Sequence, residues 1–286
     1  MTVSVLVPSS LTREAEDKRE ATRKLGYVAR AAAVFRVDRL TVFPDPDGER
    51  KLDGGFVETV LRYAATPPEL RKEVWGTRDE LEYAGVLPPL RIPTRTGSGS
   101  EGSGSLRQGI VTEVGPDGRV RVNCGLQHPI SLPLPSSMEA PGRGERVTVR
   151  VSSREPVRAK LVEAPTPGFE VERADLAPAL AHEDAGLAVA ASRHGEHLRV
   201  SRLDELVEGI REGGEPSLAV AFGAPERGLP AILDVDPESV DTERGETAGD
   251  EHGFDLWLNT VPNQGSEVVR TEEAVWATLA TLTLRR

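Results

Sequence analysis

One cysteine, Cys124, stands in a chain of 286 residues. No internal disulfide and no cysteine-built zinc site can form, and a reducing cytoplasm fits. No apolar run approaches the ~20 residues that cross a bilayer, so no membrane partner is expected. The first residues have no basic lead-in and no long apolar core. Five strand-like residues give way to Ser9, Ser10 and TREAEDKRE, so no export leader is expected. Lysine is scarce beside arginine. The amide-rich loop at 259–265 has no lysine and neither Gly-rich phosphate pattern, and the chain has no nucleophilic Ser or Cys elbow and no zinc-binding His-Glu-x-x-His pair. The five histidines show no metal spacing, so no metal is expected. Serine-nucleophile hydrolysis, zinc proteolysis and P-loop phosphate chemistry are thereby set aside.

What is present is acid, unevenly spread. The net charge is −11, which as a uniform field opposes nucleic acid. Residues 106–163, however, carry nine basic and six acidic side chains, a balance of +3. Residues 164–286 carry ten basic and 24 acidic side chains, a balance of −14. Much of that acid lies in 234–255, which reads as a solvated loop. Abundant arginine, glutamate and aspartate with little lysine mark a high-salt proteome, where acidity serves solubility.

The order of segments gives the organisation. Val3 to Val7 is a buried strand, followed by a helix over roughly 13–36 capped by Thr12. That helix bears Arg13, Arg19, Arg30 and Arg36 among its cations. Either it is a solvated face laced with ion pairs or it contacts phosphates. A strand at Leu40–Phe43, a helix at Phe56–Ala65 and a short helix after Pro67 and Pro68 come next. The stretch 96–105, TGSGSEGSGS, is a low-complexity linker. Beyond it five short alternating segments, LRQGIVTEV, RVRVNC, HPISLPL, ERVTVRV and VRAKLVE, predict a small barrel of the OB type, with an SH3-like barrel as the rival. Arg119 and Arg121 put positive charge on it. It holds no Phe, Tyr or Trp between 106 and 163, so backbone contact with single-stranded nucleic acid is expected there and base stacking is not. The expected boundaries are 1–95, 96–105, 106–163 and 164–286.

From 164 the texture is α/β again. A strand at Leu187–Ala191 leads to Ser192, Arg193, His194 and Gly195. A helix covers Leu203–Arg211. A strand at Ser217–Phe222 ends in Gly223, Ala224, Pro225, Glu226, Arg227 and Gly228. A third strand, Phe254–Leu258, runs into a loop with Asn259, Pro262, Asn263, Gln264 and Gly265. Thr271 is placed as the cap of the last helix, with Glu272 and Glu273 in its first turn, where the helix dipole favours acid. If the sheet is parallel, the three loops meet at its carboxyl edge and share a pocket. Each loop alone reads equally as an ordinary turn.

Three segments together carry a resemblance: ARAAAVFRVDRLTVF at 29–43, FGAPERGL at 222–229 and LNTVPNQGSEVVRTEEA at 258–274. They resemble the SPOUT superfamily of RNA methyltransferases, in its archaeal and eukaryotic branch with a β-barrel inserted in the catalytic domain. The resemblance implies an α/β fold with a parallel sheet and a C-terminal trefoil knot, plus the inserted OB-like barrel. It implies S-adenosylmethionine bound in the knot loops, a homodimer, and ribosomal or transfer RNA methylated on a base. The cofactor residues carried over are Ser192, Gly195, Phe222, Gly223, Glu226, Gly228, Leu258, Asn259, Pro262, Gln264, Gly265 and Thr271. Arg13 and Arg270 are read as holding the target nucleotide, and Arg19, Arg30, Arg36, Arg119 and Arg121 as RNA contacts. A non-catalytic RNA-binding or ribosome-assembly factor with the same fold is the alternative.

Overall fold

A computed structural model describes residues 1–92, 95–96, 105–115, 118–164, 168–210, 216–241, 246–247 and 252–284. Most of the 96–105 linker and part of the acidic 234–255 stretch lie outside the described residues. In chain order the first elements are β1 (Thr2–Pro8), α1 (Lys18–Val34), β2 (Arg39–Phe43), α2 (Gly54–Ala65) and α3 (Arg71–Trp75). Then follow β3 (Arg95–Thr96), β4 (Ser105–Val114), β5 (Arg119–Asn123), β6 (Ile130–Pro133), β7 (Arg146–Arg154) and β8 (Val157–Leu161). The remainder is β9 (Glu170–Arg173), α4 (Leu176–Leu180), β10 (Leu187–His197), α5 (Val200–Gly209), β11 (Ser217–Phe222) and α6 (Leu229–Leu233). It closes with β12 (Val240–Asp241), β13 (Glu246–Thr247), β14 (Leu256–Asn259) and α7 (Thr271–Leu282). Two compact units result: Met1–Ala65 with Asp79–Leu90 and Phe169–Arg286, and Thr66–Arg78 with Arg91–Gly168.

The first unit is built on a six-stranded sheet ordered β14-β10-β11-β1-β2-β9, in which every pairing is parallel. Parallel strands are covered on both faces and so read as continuous apolar runs. Val5, Leu6, Val7, Leu218 and Val220 are accordingly fully buried. Trp257, Phe43, Leu6 and Leu229 belong to one core cluster. The strand order reverses direction between β1 and β11, the place where open α/β sheets leave a crevice at their carboxyl edge. The three site-bearing strands, β14, β10 and β11, are adjacent in the sheet.

Three local expectations are corrected. The first helix begins at Lys18, and its cap is Asp17, whose carboxylate accepts from the Glu20 N–H at 2.7 Å. Thr12 lies in a run of turns, with Leu11 N bonded to Pro8 O and Arg13 N to Ser10 O. The Ser9 and Ser10 hydroxyls bind Asp45, and such side-chain bonds compete with helix. The second correction concerns β10, which does not stop at Ala191. It continues to His197 with a register shift against β14 between Ala191 and Glu196. A Cβ on Gly195 would lie 2.4 Å from the Leu258 nitrogen, so Ser192–Gly195 is a bulge pressed onto β14. The third correction is at α7, where Thr271 is the first helical residue and Arg270 the cap. The Arg270 N–H donates to Glu273 Oε2 at 3.0 Å. The apolar face of α7 is as expected, with Val275, Leu279 and Leu282 buried. β9 and α4 were not anticipated.

The second unit holds the five expected strands as an antiparallel path β6-β5-β4-β7-β8, with β3 on β4. Its end strands β6 and β8 approach each other, so the sheet is barrel-like and nearly closed. Alternation is plain in β5, where Val120 and Val122 point inward and Arg119 and Arg121 outward. Val111, Val149, Leu132, Leu161 and Cys124 share that interior. Burial raises the Cys124 thiol pKa above its ordinary value.

Candidate functional site

A cavity of about 300 Å³ opens where the carboxyl ends of β10, β11 and β14 meet the start of α7. Ser192, Phe222, Gly223, Glu226, Gly228, Leu258, Asn259, Gln264 and Thr271 line it. Gly195, Pro262 and Gly265 are not among its lining residues. Gly195 sits one residue behind His194, which does line it, and serves the bulge against β14. Gly265 is exposed, and a Cβ there would meet nothing within 4 Å.

The turn after β11 forms one wall. Ala224 N donates to Arg227 O at 2.9 Å and Arg227 N to Ala224 O at 3.1 Å, closing a tight reversal. Glu226 at its tip is left-handed with φ 59°. A Cβ on Gly223 would stand 2.7 Å from Gly228 Cα, so the two ends of the turn approach too closely for any side chain. The Thr271 hydroxyl donates to the Gly223 carbonyl at 2.8 Å, fastening the turn to α7.

The loop amides are less available than the sequence implied. Asn259, 8% exposed, donates from Nδ2 to Arg193 O at 3.1 Å and accepts at Oδ1 from Val261 N at 3.0 Å. Gln264 Nε2 donates to Ser266 O and Glu267 O. These side chains hold loops to one another. The lining also includes Val268, Val269, Ala231 and Ala274, which the sequence reading passed over. The Val-Val pair directly ahead of the last helix was the available signal. His194 accepts at Nε2 from Arg193 Nε at 3.1 Å. Burial, and then the Arg193 charge, lower its pKa below the ordinary histidine value, so the neutral ring faces the cavity at pH 7.

The arginines read as RNA or nucleotide contacts belong to several different elements. Arg13 donates from Nη1 to Pro225 O at 3.3 Å, and its Nε is buried without a hydrogen-bond partner. Arg270, half exposed, sits 3.5 Å from Glu14. Glu14 also pairs with Lys24, which is buried on α1. Glu272 is buried beside this group, and burial foremost raises its carboxyl pKa above the ordinary value. Arg30 donates to Leu90 O at 2.6 Å, Arg119 to Ser131 O at 2.7 Å, and Arg121 lies 3.8 Å from Glu113. Arg19 and Arg36 are exposed. Among the described residues no His, Cys, Asp or Glu group could hold a metal ion, and no helix is long and apolar enough to cross a membrane.

Residues 2–282 match the family described as "Putative RNA methyltransferase". An uncharacterized protein of Haloarcula marismortui is 72% identical over 284 residues, 99% of each chain. Another from Halobacterium salinarum is 68% identical over 285 residues, again 99% of each. The human 28S rRNA (uridine-N(3))-methyltransferase is 29% identical over 314 aligned positions, covering 98% of this chain and 77% of that one.

Proposed function

The chain belongs to this family of RNA methyltransferases, and from that premise we propose that it transfers a methyl group from S-adenosylmethionine to N3 of a uridine in ribosomal RNA. The observation that carries the reading is the single cavity shared by the β10 bulge and the loops after β11 and β14. Its volume falls at the small end of ligand pockets. Its lining is mostly apolar side chains, backbone groups and a neutral His194; its charged members are Arg193, Glu226 and Glu267, and it lacks a lysine. That set suits an adenosine edge, which carries no charge.

S-adenosylmethionine supplies an electrophilic methyl on a sulfonium. The protein must hold that methyl in line with the accepting nitrogen and keep water out. Positioning of that kind can supply ~7–11 kcal/mol. A general base would add about 10²–10⁴-fold, so the reading does not depend on one. Glu226, at the cavity wall, adds charge complementarity to the sulfonium. That interaction favours the ground state, because the positive charge disperses as the methyl leaves, and so contributes affinity more than rate. Ser192, Phe222, Gly228 and Leu258 shape the rest of the cavity. Gly195 lies outside it, pressed onto β14, and Pro262 and Gly265 lie in the loop after β14 without lining it. Arg13 and Arg270 flank the 223–228 turn and the start of α7, the positions from which a target nucleotide would be held. The Arg270 side chain, half exposed, pairs with Glu14 at 3.5 Å.

The SPOUT trefoil knot, the OB-like identity of the barrel, a homodimer with RNA between subunits, and a cytoplasmic location complete the reading. The parallel sheet with its carboxyl-edge cavity supports the first, and the five-stranded antiparallel path supports the second. Titration calorimetry with S-adenosylmethionine tests the cofactor. Nucleoside mass spectrometry of ribosomal RNA from a strain lacking the gene tests the product, with loss of one N3-methyluridine expected. A protein that binds that RNA but gives no heat with S-adenosylmethionine would instead be an RNA-binding factor retaining the fold.

A further inference from the structure

Asp45 stands just past the end of β2, only 3% exposed. Its carboxylate takes the Arg227 Nε at 3.1 Å on each oxygen. The Ser10 hydroxyl donates to the same group, and the Asp45 N–H donates to Ser9 Oγ at 2.9 Å. One buried carboxylate therefore joins the loops that leave β1, β2 and β11 at the carboxyl edge of the sheet. Neither Asp45 nor Arg227 lines the cavity. Arg227 is nonetheless flanked in sequence by Glu226 and Gly228, which do.

We propose that Asp45 and Arg227 form a positioning pair that fixes the 223–228 turn and thereby sets the cofactor wall of the cavity. The inference rests on the reading of that cavity as the S-adenosylmethionine site. Glu226 is a non-glycine residue in the left-handed region, and such conformations persist only where the surroundings over-determine them. The turn is held from three directions. Arg227 is tied to Asp45, the Gly223 carbonyl to Thr271, and the Pro225 carbonyl to Arg13. Only the first of these bonds is an ion pair with a nearly fully buried member. A buried charge whose partner is removed is left uncompensated, so the turn relaxes most when this tie is cut. Gly48 offers a second handle on the same geometry. A Cβ there would fall 2.0 Å from Asp45 Oδ2, displacing the carboxylate without removing any charge.

The test is calorimetry with S-adenosylmethionine on the full chain, joined to kinetics on ribosomal RNA from a strain lacking the gene. Asp45→Asn and Gly48→Ala are each expected to weaken cofactor affinity by about tenfold or more and to raise the KM for S-adenosylmethionine in step, while kcat at saturating cofactor stays within about threefold, the signature of lost uniform binding. Arg227→Lys keeps the charge but loses the planar fork, and should fall between wild type and Asp45→Asn. Should Asp45→Asn fail to fold, Gly48→Ala and Arg227→Lys carry the same expectation. Variants with lowered Tm and kcat but unchanged cofactor affinity would assign the pair a stabilising role alone and overturn the proposal. Unchanged affinity with unchanged stability would do so as well. A wild-type protein that gives no heat with S-adenosylmethionine would instead sink the cofactor reading, and the inference with it.

Discussion

Replacing Gly223 by alanine should damage the cavity wall directly, because Gly223 both lines the cavity and sits against backbone. The added carbon would lie 2.7, 2.8 and 2.9 Å from Gly228 Cα, Leu229 N and Gly228 C, all of them backbone atoms. To reach the 3.4 Å of ordinary contact the turn must open by about 0.5–0.7 Å. Overpacking of this kind costs ~1–3 kcal/mol. Straining the Thr271 to Gly223 bond or the Ala224–Arg227 pair adds ~0.5–1.5 kcal/mol for each bond lost. A total of about 2–4 kcal/mol, at about 2–4 °C per kcal/mol for a chain near this length, lowers Tm by roughly 4–16 °C. Because the strain falls on the cavity wall, S-adenosylmethionine affinity should fall by about tenfold or more. Differential scanning calorimetry and titration calorimetry read the two effects. Gly265→Val is the control, since its side chain would enter open space, and it should leave both quantities near wild type. Normal Tm and normal binding in Gly223→Ala, or a Gly265→Val protein as impaired as Gly223→Ala, would refute the reasoning.

Other consequences can be measured separately. Glu272 has a raised carboxyl pKa in the folded chain, so the folded state holds its proton more tightly than the unfolded one. Its contribution to stability is fully present below the ordinary glutamate pKa and is lost as pH rises through the folded value. Glu272→Gln should therefore match wild type in Tm near pH 4 and exceed it near pH 8; a constant difference across that range would contradict this. Deleting residues 106–163 should weaken RNA binding in a filter assay and leave S-adenosylmethionine affinity intact, given the +3 balance of that segment; unchanged RNA binding would refute the assignment. Cys124, 4% exposed, should react with a thiol reagent only under denaturing conditions; rapid labelling of the native chain would show that the barrel opens.

The sequence revealed the elements better than their ends. Buried runs such as Val3–Val7 and Ser217–Phe222 were legible because parallel strands need apolar residues on both faces. The five barrel strands were legible from their alternation. The start of α1 was not: Thr12 looks like a cap, but the Ser9 and Ser10 hydroxyls just before it are recruited by Asp45, 36 and 35 residues away. The continuation of β10 through Gly195 was hidden for a similar reason. It depends on close approach to Trp257 and Leu258, a contact no local pattern encodes. Glycine and amide density pointed to segments that do line the cavity, but not to what those groups contact there. Asn259 and Gln264 spend their amides on loop carbonyls, and Gly265 faces open space. The Asp45–Arg227 tie spans 182 positions and left no trace in the sequence around either residue.

A crystal structure with S-adenosylhomocysteine is the most direct check. The account predicts the ligand's adenosine among Phe222, Leu258 and Gln264, with its sulfur on the Glu226 side of the cavity. Density for the ligand elsewhere on the chain, or a cavity still empty at saturating ligand, would contradict it.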